Sequence, residues 1–263
     1  MARFCTLYSG SSGNSTYLAS SDTALLIDAG RSCKQLLEAM QARSIDPKSI
    51  QAILITHEHT DHISGLRVLL NRLKIPLYAS AEVLQKLLWE KIVPQDYPAQ
   101  PVPTGRFSIG SLEIESFDTP HDSLHSLGYR FSLPDGRRIA IATDLGYITE
   151  PVRKILTGSD LVLLESNYDK RMLGASDYPY QLKQRIASSV GHLSNEDCSK
   201  EVVSLVRSGS TRFVLGHLSE RNNLPELAYQ TALSSLLLNG MRERIDFTLQ
   251  VAPRNAPLEM MVL

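Results

Sequence analysis

The sequence predicts an α+β four-layer sandwich, αββα, in which two mixed β-sheets pack face to face with helices outside. Three observations lead there. Short apolar runs alternate with helix-period segments from end to end, and the strand-rich habit of the first half is repeated in the second. Several strand candidates are continuously apolar, as strands covered on both faces are. The 263 residues, 43% of them hydrophobic, suffice for a sizeable core; with no long flexible linker, one domain over 1–263 is expected.

The first strands are expected at 3–9, 15–20 and 24–28. A helix over 33–43 follows, with Leu36, Leu37 and Met40 on one face, then a strand over 52–56. Residues 63–73 and 81–91 have similar helical spacing around a strand at 76–80. Strands at 111–119, 127–133 and 137–144 come next, and "LPDG" (133–136) reads as the hairpin turn between the last two. Thr149 can cap a short helix with Pro151 in its first turn, where a missing N–H is harmless. After a strand at 160–166, "SNED" (194–197) has the Ser-x-x-acid form of a capping box before a helix over about 195–208. A strand at 212–217, a helix from Pro225 to Gly240 and a strand at 246–252 complete the series.

A net charge of -1 provides no global basic field to attract nucleic acid, although a local groove is compatible with it. Cys5, Cys33 and Cys198 are scattered, odd in number and without a CxxC, so no disulfide framework is expected. The opening "MARFCTLYSG" lacks a signal-peptide layout, and no apolar stretch approaches the roughly 18 residues of a membrane span. The expectation is a soluble cytoplasmic protein with no membrane partner; oligomeric state is not readable from these features.

The chemistry concentrates in "THEHTDH" (56–62), which follows the apolar run "AILI". His57 should sit at the mouth of a sheet, and His59 two residues on points the same way in extended backbone. Asp61 and His62 lie in the turn into the next helix, so four donors converge from one loop. Imidazole and carboxylate suit zinc, manganese or iron. The run is not HExxH, because Asp61 stands where the second histidine would be. A lone His-x-His is often a pair of solvated loop residues, but this denser run is far more specific. Further donors end other apolar runs: His121, Asp144 and His217, so one rim of the fold can collect them all. Asp28, ending "LLID", can orient a ligand histidine from behind.

"HEHTDH", "PHD" at His121, "ATDLG" at Asp144 and "LGHLSE" at His217 resemble the metallo-β-lactamase fold hydrolases. "SGSSGNS" (9–15), "LLIDAG", "LLESNYD", "LKQRI", "GHLSNED" and "LGHLSERNN" are similar to the YycJ/WalJ branch, from about residue 3 to about residue 228. That resemblance implies a dinuclear-metal-dependent phosphodiesterase, a 5′-to-3′ DNA exonuclease that works through a metal-bridging hydroxide. Its cofactors would be two divalent ions, zinc or manganese with iron as an option, and its partner a nucleic acid, DNA. His57, His59 and His121 would hold the first ion, Asp61, His62 and His217 the second, and Asp144 both. Asp61 would also accept the hydrogen bond from the nucleophile's proton. His192 would be the acid for the leaving oxygen, with Glu165 orienting it; the bland reading is that His192 only completes a helix cap.

Other stretches carry weaker expectations. "SGSSGNS" reads as a hairpin loop ahead of a phosphate cradle. Tyr178 and Tyr180 interleave with Lys183 and Arg185 as in single-strand binders, while Arg137-Arg138 reads as ordinary surface. His125 reads as solvated or core, Cys33 and Cys198 as packed or helix-face thiols, and Trp89 as core or helix-face packing ahead of a base-stacking platform. Only 73 positions separate Asp144 from His217, too few for a large inserted nuclease cap domain. The alternative is a small-molecule hydrolase of thioesterase or lactonase type on the same metals, since fold alone does not fix substrate.

Overall fold

The structure is a computed structural model describing all of residues 1–263. Two seven-stranded sheets face one another. The first half supplies β1 (Arg3–Tyr8), β2 (Ser15–Ala19), β3 (Ala24–Ile27), α1 (Cys33–Ala42), β4 (Ile50–Leu54), α2 (Thr60–Ile63), α3 (Leu66–Leu73), β5 (Leu77–Ala79), α4 (Ala81–Trp89) and β6 (Ala99–Pro101). The second supplies β7 (Arg106–Ile109), β8 (Leu112–Asp118), β9 (Leu127–Ser132), β10 (Arg138–Ala142), α5 (Glu150–Leu156), β11 (Leu161–Glu165), α6 (Lys170–Ala175), α7 (Tyr180–Ile186), α8 (Asn195–Arg207), β12 (Arg212–Gly216), α9 (Pro225–Leu238) and β13 (Thr248–Val251), and the chain ends in β14 (Met261–Val262).

The strand orders are β14-β1-β2-β3-β4-β5-β6 and β13-β12-β11-β10-β9-β8-β7. Each sheet begins antiparallel and turns parallel, from β3 in one and from β10 in the other. Parallel neighbours need a crossover, usually helical. That requirement puts α1, α3 and α4 over one sheet and α5, α8 and α9 over the other. Alternation along β10 and β11 shows the layering: Ile139, Ile141, Leu161 and Leu163 belong to the core between the sheets, while Ala140, Ala142, Val162 and Leu164 pack under Val152, Leu156, Val202 and Leu205. Both faces are covered, so the strands read as unbroken apolar runs.

The expected αββα architecture is what the structure shows. Caps fall where expected: the Thr149 hydroxyl accepts from Val152 N and the Ser194 hydroxyl from Asp197 N. The helix read over 63–73 is divided into α2 and α3 at Ser64 and Gly65, where the chain passes so close to Arg31 that a Cβ on Gly65 would lie 2.0 Å from Arg31 O. Edge strands β6, β7 and β14, and helices α6 and α7, are additions to the elements the sequence predicts. No helix is long and apolar enough to cross a membrane.

Candidate metal centre

The chain reverses or turns after β3, β4, β8, β10 and β12, and each exit carries a polar residue. Asp28 follows β3, His57 lies three residues beyond β4, His121 three beyond β8, Asp144 two beyond β10, and His217 directly follows β12. Asp28, Asp144 and His217 take left-handed backbone, φ 63°, 57° and 54°. Such non-glycine conformations cost on the order of 1–3 kcal/mol each and persist only where the surroundings over-determine them.

His57, His59 and His121 offer three ligand atoms all within 4.8 Å of one another, and Asp61, His62 and His217 form a second such set. Asp144 joins His57 and His62 in a third group, and Glu165, His192 and His217 in a fourth. Six of the chain's seven histidines are therefore in one cluster, so chance placement of loop histidines does not account for it. His59 is the N-cap residue of α2 in extended backbone, and Asp61 and His62 occupy the helix's only turn.

Supporting groups fix the imidazoles. His62 Nδ1 lies 2.8 Å from Asp28 Oδ2, and Asp28 Oδ1 also accepts from Thr56 N at 2.8 Å. His121 Nδ1 donates to Gly191 O at 3.0 Å, and His217 Nδ1 to Glu165 Oε1 at 2.6 Å. A carbonyl or carboxylate at Nδ1 fixes the proton there and turns the Nε2 lone pair inward. His192 Nδ1 donates to the same Glu165 Oε1 at 2.8 Å. His192 is therefore not a helix cap; Ser194 caps α8.

Burial alone would lower the His62 pKa, but Asp144, Asp28 and Asp61 raise it well above the usual imidazole value. Burial likewise opposes charge on His217, yet Asp144, Asp61 and Glu165 push it up to about 10. Burial and His62 drive His57 well down. Asp144 is held well below the carboxylate range by His217 and His62 against the effect of burial, and Glu165 falls to about 2 because His192 and His217 outweigh its burial. Ionised carboxylates thus share a dry space with imidazoles. Two buried atoms at the centre are under-satisfied: His57 Nε2 has no hydrogen-bond partner, and Asp144 Oδ2 has only the His62 imidazole, at 3.2 Å. Nitrogen and oxygen donors around unpartnered lone pairs fit divalent cations, which would displace the offsetting protons.

"SGSSGNS" is the β1–β2 hairpin loop, and it buttresses the centre. Ser9 Oγ accepts from His217 N at 2.9 Å, and buried Asn14 Nδ2 sits 3.2 Å from Asp61 Oδ2 and 3.1 Å from His62 Nε2. Sequence reasoning misses Asn14, because nothing distinguishes it within a run of small polar residues. Gly30 packs directly beneath the same turn: a Cβ there would lie 1.7 Å from Asp61 O and 2.5 Å from Asn14 N. Gly30→Ala is expected to cost about 3 kcal/mol through overpacking and to lower metal content. Gly174→Ala, in α6 with no atom near its Cβ position, should do neither. Thermal melting and metal analysis of both proteins test this, and equal behaviour would show the close approach to be unimportant.

A groove of about 710 Å³ opens beside His59 and Asp61, with Arg67, Lys86 and Arg185 on its walls. Arg185 is ion-paired with Asp122, and Lys86 Nζ lies 2.7 Å from Glu90 Oε1. Of the expected aromatic–cationic strip, only Arg185 reaches this groove. Lys183 donates to Gly174 O, Tyr178 packs beside Leu173 and Ile186 under Arg221, and Tyr180 is 72% exposed. Arg137 is tied to Asp135 within its turn. His125 is neither free nor core; it lies between Glu82 and Asp118 at 3.0 and 2.8 Å. Cys33 and Cys198 are buried free thiols, as expected.

The family model of the beta-lactamase superfamily domain matches residues 23–218. The chain is 37% identical over 248 residues to "Exodeoxyribonuclease WalJ" of Streptococcus pneumoniae serotype 2 (strain D39 / NCTC 7466), covering 93% of this chain and 92% of that protein. It is 34% identical over 234 residues to "Exodeoxyribonuclease YycJ" of Bacillus anthracis, covering 86% and 85%. Among solved structures, the metallo-beta-lactamase fold protein YhfI from Bacillus subtilis superposes with a TM-score of 0.72 at 15% identity, covering 98% of both chains. Sequence match, fold and rim architecture agree: the chain belongs to the beta-lactamase superfamily and has the metallo-β-lactamase fold.

Proposed function

We propose that the chain is a metal-dependent exodeoxyribonuclease that hydrolyses DNA from 5′ ends. The observation that carries this is the pair of three-donor sets with Asp144 within 3.6 Å of a histidine of each, beside the Glu165–His192 pair. The kinship with WalJ and YycJ, both named exodeoxyribonucleases, supports the substrate class.

His57, His59 and His121 would hold one ion, Asp61, His62 and His217 a second, and Asp144 both, zinc or manganese being the best matched to these donors. Divalent ions bound there supply Lewis-acid stabilisation of phosphoryl oxygens and lower the pKa of water. Asp28 and Glu165 keep the ligand nitrogens aimed inward. An Asp61 carboxylate oxygen accepts the hydrogen bond of the attacking water. Leu145, Leu193 and Leu218, each next in sequence to Asp144, His192 or His217, are buried in the apolar cluster of the second sheet. His192 is held at Nδ1 by Glu165, so its Nε2 can carry a proton to the leaving oxygen.

The groove argues against a thioesterase or lactonase. Ile63 and Ile92 are its only two apolar residues of eleven, so it lacks a wall for an acyl chain. Turnover of metal-analysed protein on 5′-phosphorylated DNA, RNA, bis(p-nitrophenyl) phosphate and a thioester, with manganese and with zinc, tests the assignment. Preference for the thioester would overturn it. His192→Ala should keep its metals and lose about 10²-fold in kcat on DNA, in line with removal of a general acid. A variant with unchanged metal content and rate would remove His192 from the reaction.

A further inference from the structure

Trp89, the only tryptophan, is 81% exposed. The sequence expectation of core or helix-face packing, preferred there to a base-stacking platform, is not met. Val83, Leu84 and Leu87 form the buried face of α4, and Trp89, its last residue, extends past them. Its ring joins none of the protein's ring–ring or cation–ring pairs. A single exposed apolar side chain needs no explanation, so its surroundings decide. Trp89 lines a groove of about 780 Å³ with Arg67, Asn71, Lys91 and Gln95. Arg67 is also a wall of the groove at His59 and Asp61, so the two grooves meet at that side chain. In the inner groove Lys86 and Arg185 are paired with Glu90 and Asp122, and Glu58 adds negative charge; Arg67 and Lys91 have no acidic partner.

We infer that Trp89 is a base-stacking platform for single-stranded DNA, with Arg67 and Lys91 holding the flanking phosphates of a strand that runs outward from the metal centre over α3 and α4. The inference rests on the nuclease reading above. An exonuclease meets a new base at every step, so its grip must be indifferent to base identity. Stacking has that property, because every base presents a π-face, and cations beside the ring hold the backbone.

As the sole tryptophan, Trp89 reports on itself. The metal-loaded full chain is titrated with a cleavage-resistant phosphorothioate oligothymidylate of twelve nucleotides. Saturable quenching of the intrinsic fluorescence is expected. By anisotropy of labelled oligonucleotide, Trp89→Ala should bind about five- to a hundredfold more weakly, and Trp89→Phe should recover most of the loss. Arg67→Ala should reduce the salt slope of binding by about 0.7. Leu238→Ala, at an 88% exposed leucine on α9, serves as the remote control. If the wild type binds and cuts DNA while its fluorescence stays constant and Trp89→Ala binds equally well, the platform is wrong and the nuclease reading stands. Concentration-dependent fluorescence from self-association, with no effect of DNA, would also overturn the platform. A wild type that neither binds nor cuts DNA overturns both.

Discussion

Asp144→Asn is expected to lose metal and to lower phosphodiesterase kcat/KM by about 10³-fold or more, beyond the usual cost of one electrostatic contact in a preorganised site. The size of the effect follows from position. Asp144 Oδ2 lies 3.2 Å from His62 Nε2, and Oδ1 lies 3.6 Å from His121 Nε2 and 3.5 Å from His217 Nδ1. It therefore stands between the two donor sets, and no neighbouring carboxylate can substitute for both of its oxygens. Asparagine is the informative replacement. It matches aspartate in shape and tolerates the left-handed backbone at φ 57°, so the β10 exit should keep its course and the loss can be assigned to charge. The checks are metal per chain by elemental analysis, activity on DNA, and circular dichroism. Full activity with unchanged metal content would reject the assignment of Asp144 as the shared ligand.

What can be read in the sequence follows burial. β3, β4, β10, β11 and β12 are covered on both faces, so their apolar runs stand out, and a histidine or aspartate closing such a run is a conspicuous break. Hence His57, Asp144, His217 and Asp28 can be placed at one rim from the sequence alone. The edges give no such signal. β6 is "AQP" and β7 is "RFSI", short strands with half-exposed or exposed residues, and their pairing depends on neighbours distant in sequence. Helix α7 is hidden because "YQLKQRI" buries only Ile186.

The contacts around the centre are less legible than the donors themselves. Asn14 reaches Asp61 across a sequence separation of 47 positions, and Glu165 reaches His217 across 52. Neither distance leaves a periodic trace. Trp89 illustrates the converse error. It continues an apolar series in α4, but the helix ends there, and the indole falls outside the layer that the earlier leucines bury. Periodicity reports which side of a helix faces the core; it does not report where the core stops.

Glu165→Gln should cost about 3–5 kcal/mol of stability and about 10³-fold in turnover, more than loss of His192 alone. Glu165 is fully buried and accepts four N–H groups: His192 Nδ1 at 2.8 Å, His217 Nδ1 at 2.6 Å, Leu145 N at 3.1 Å and Leu193 N at 3.0 Å. A carboxylate has two accepting oxygens and can serve all four. An amide has one, and whichever way it turns its NH₂ meets two donors. Two buried N–H groups are then orphaned, at about 1–3 kcal/mol each. The electrostatic loss is separate. A neutral amide in this place would not hold the Nδ1 protons of His192 and His217, so the candidate acid and a candidate metal ligand would lose orientation together. Urea unfolding, metal analysis and the rate on DNA read the three consequences independently. If Glu165→Gln matched His192→Ala in rate while retaining wild-type metal content and stability, Glu165 would serve only to position His192, and its contact with His217 would be incidental.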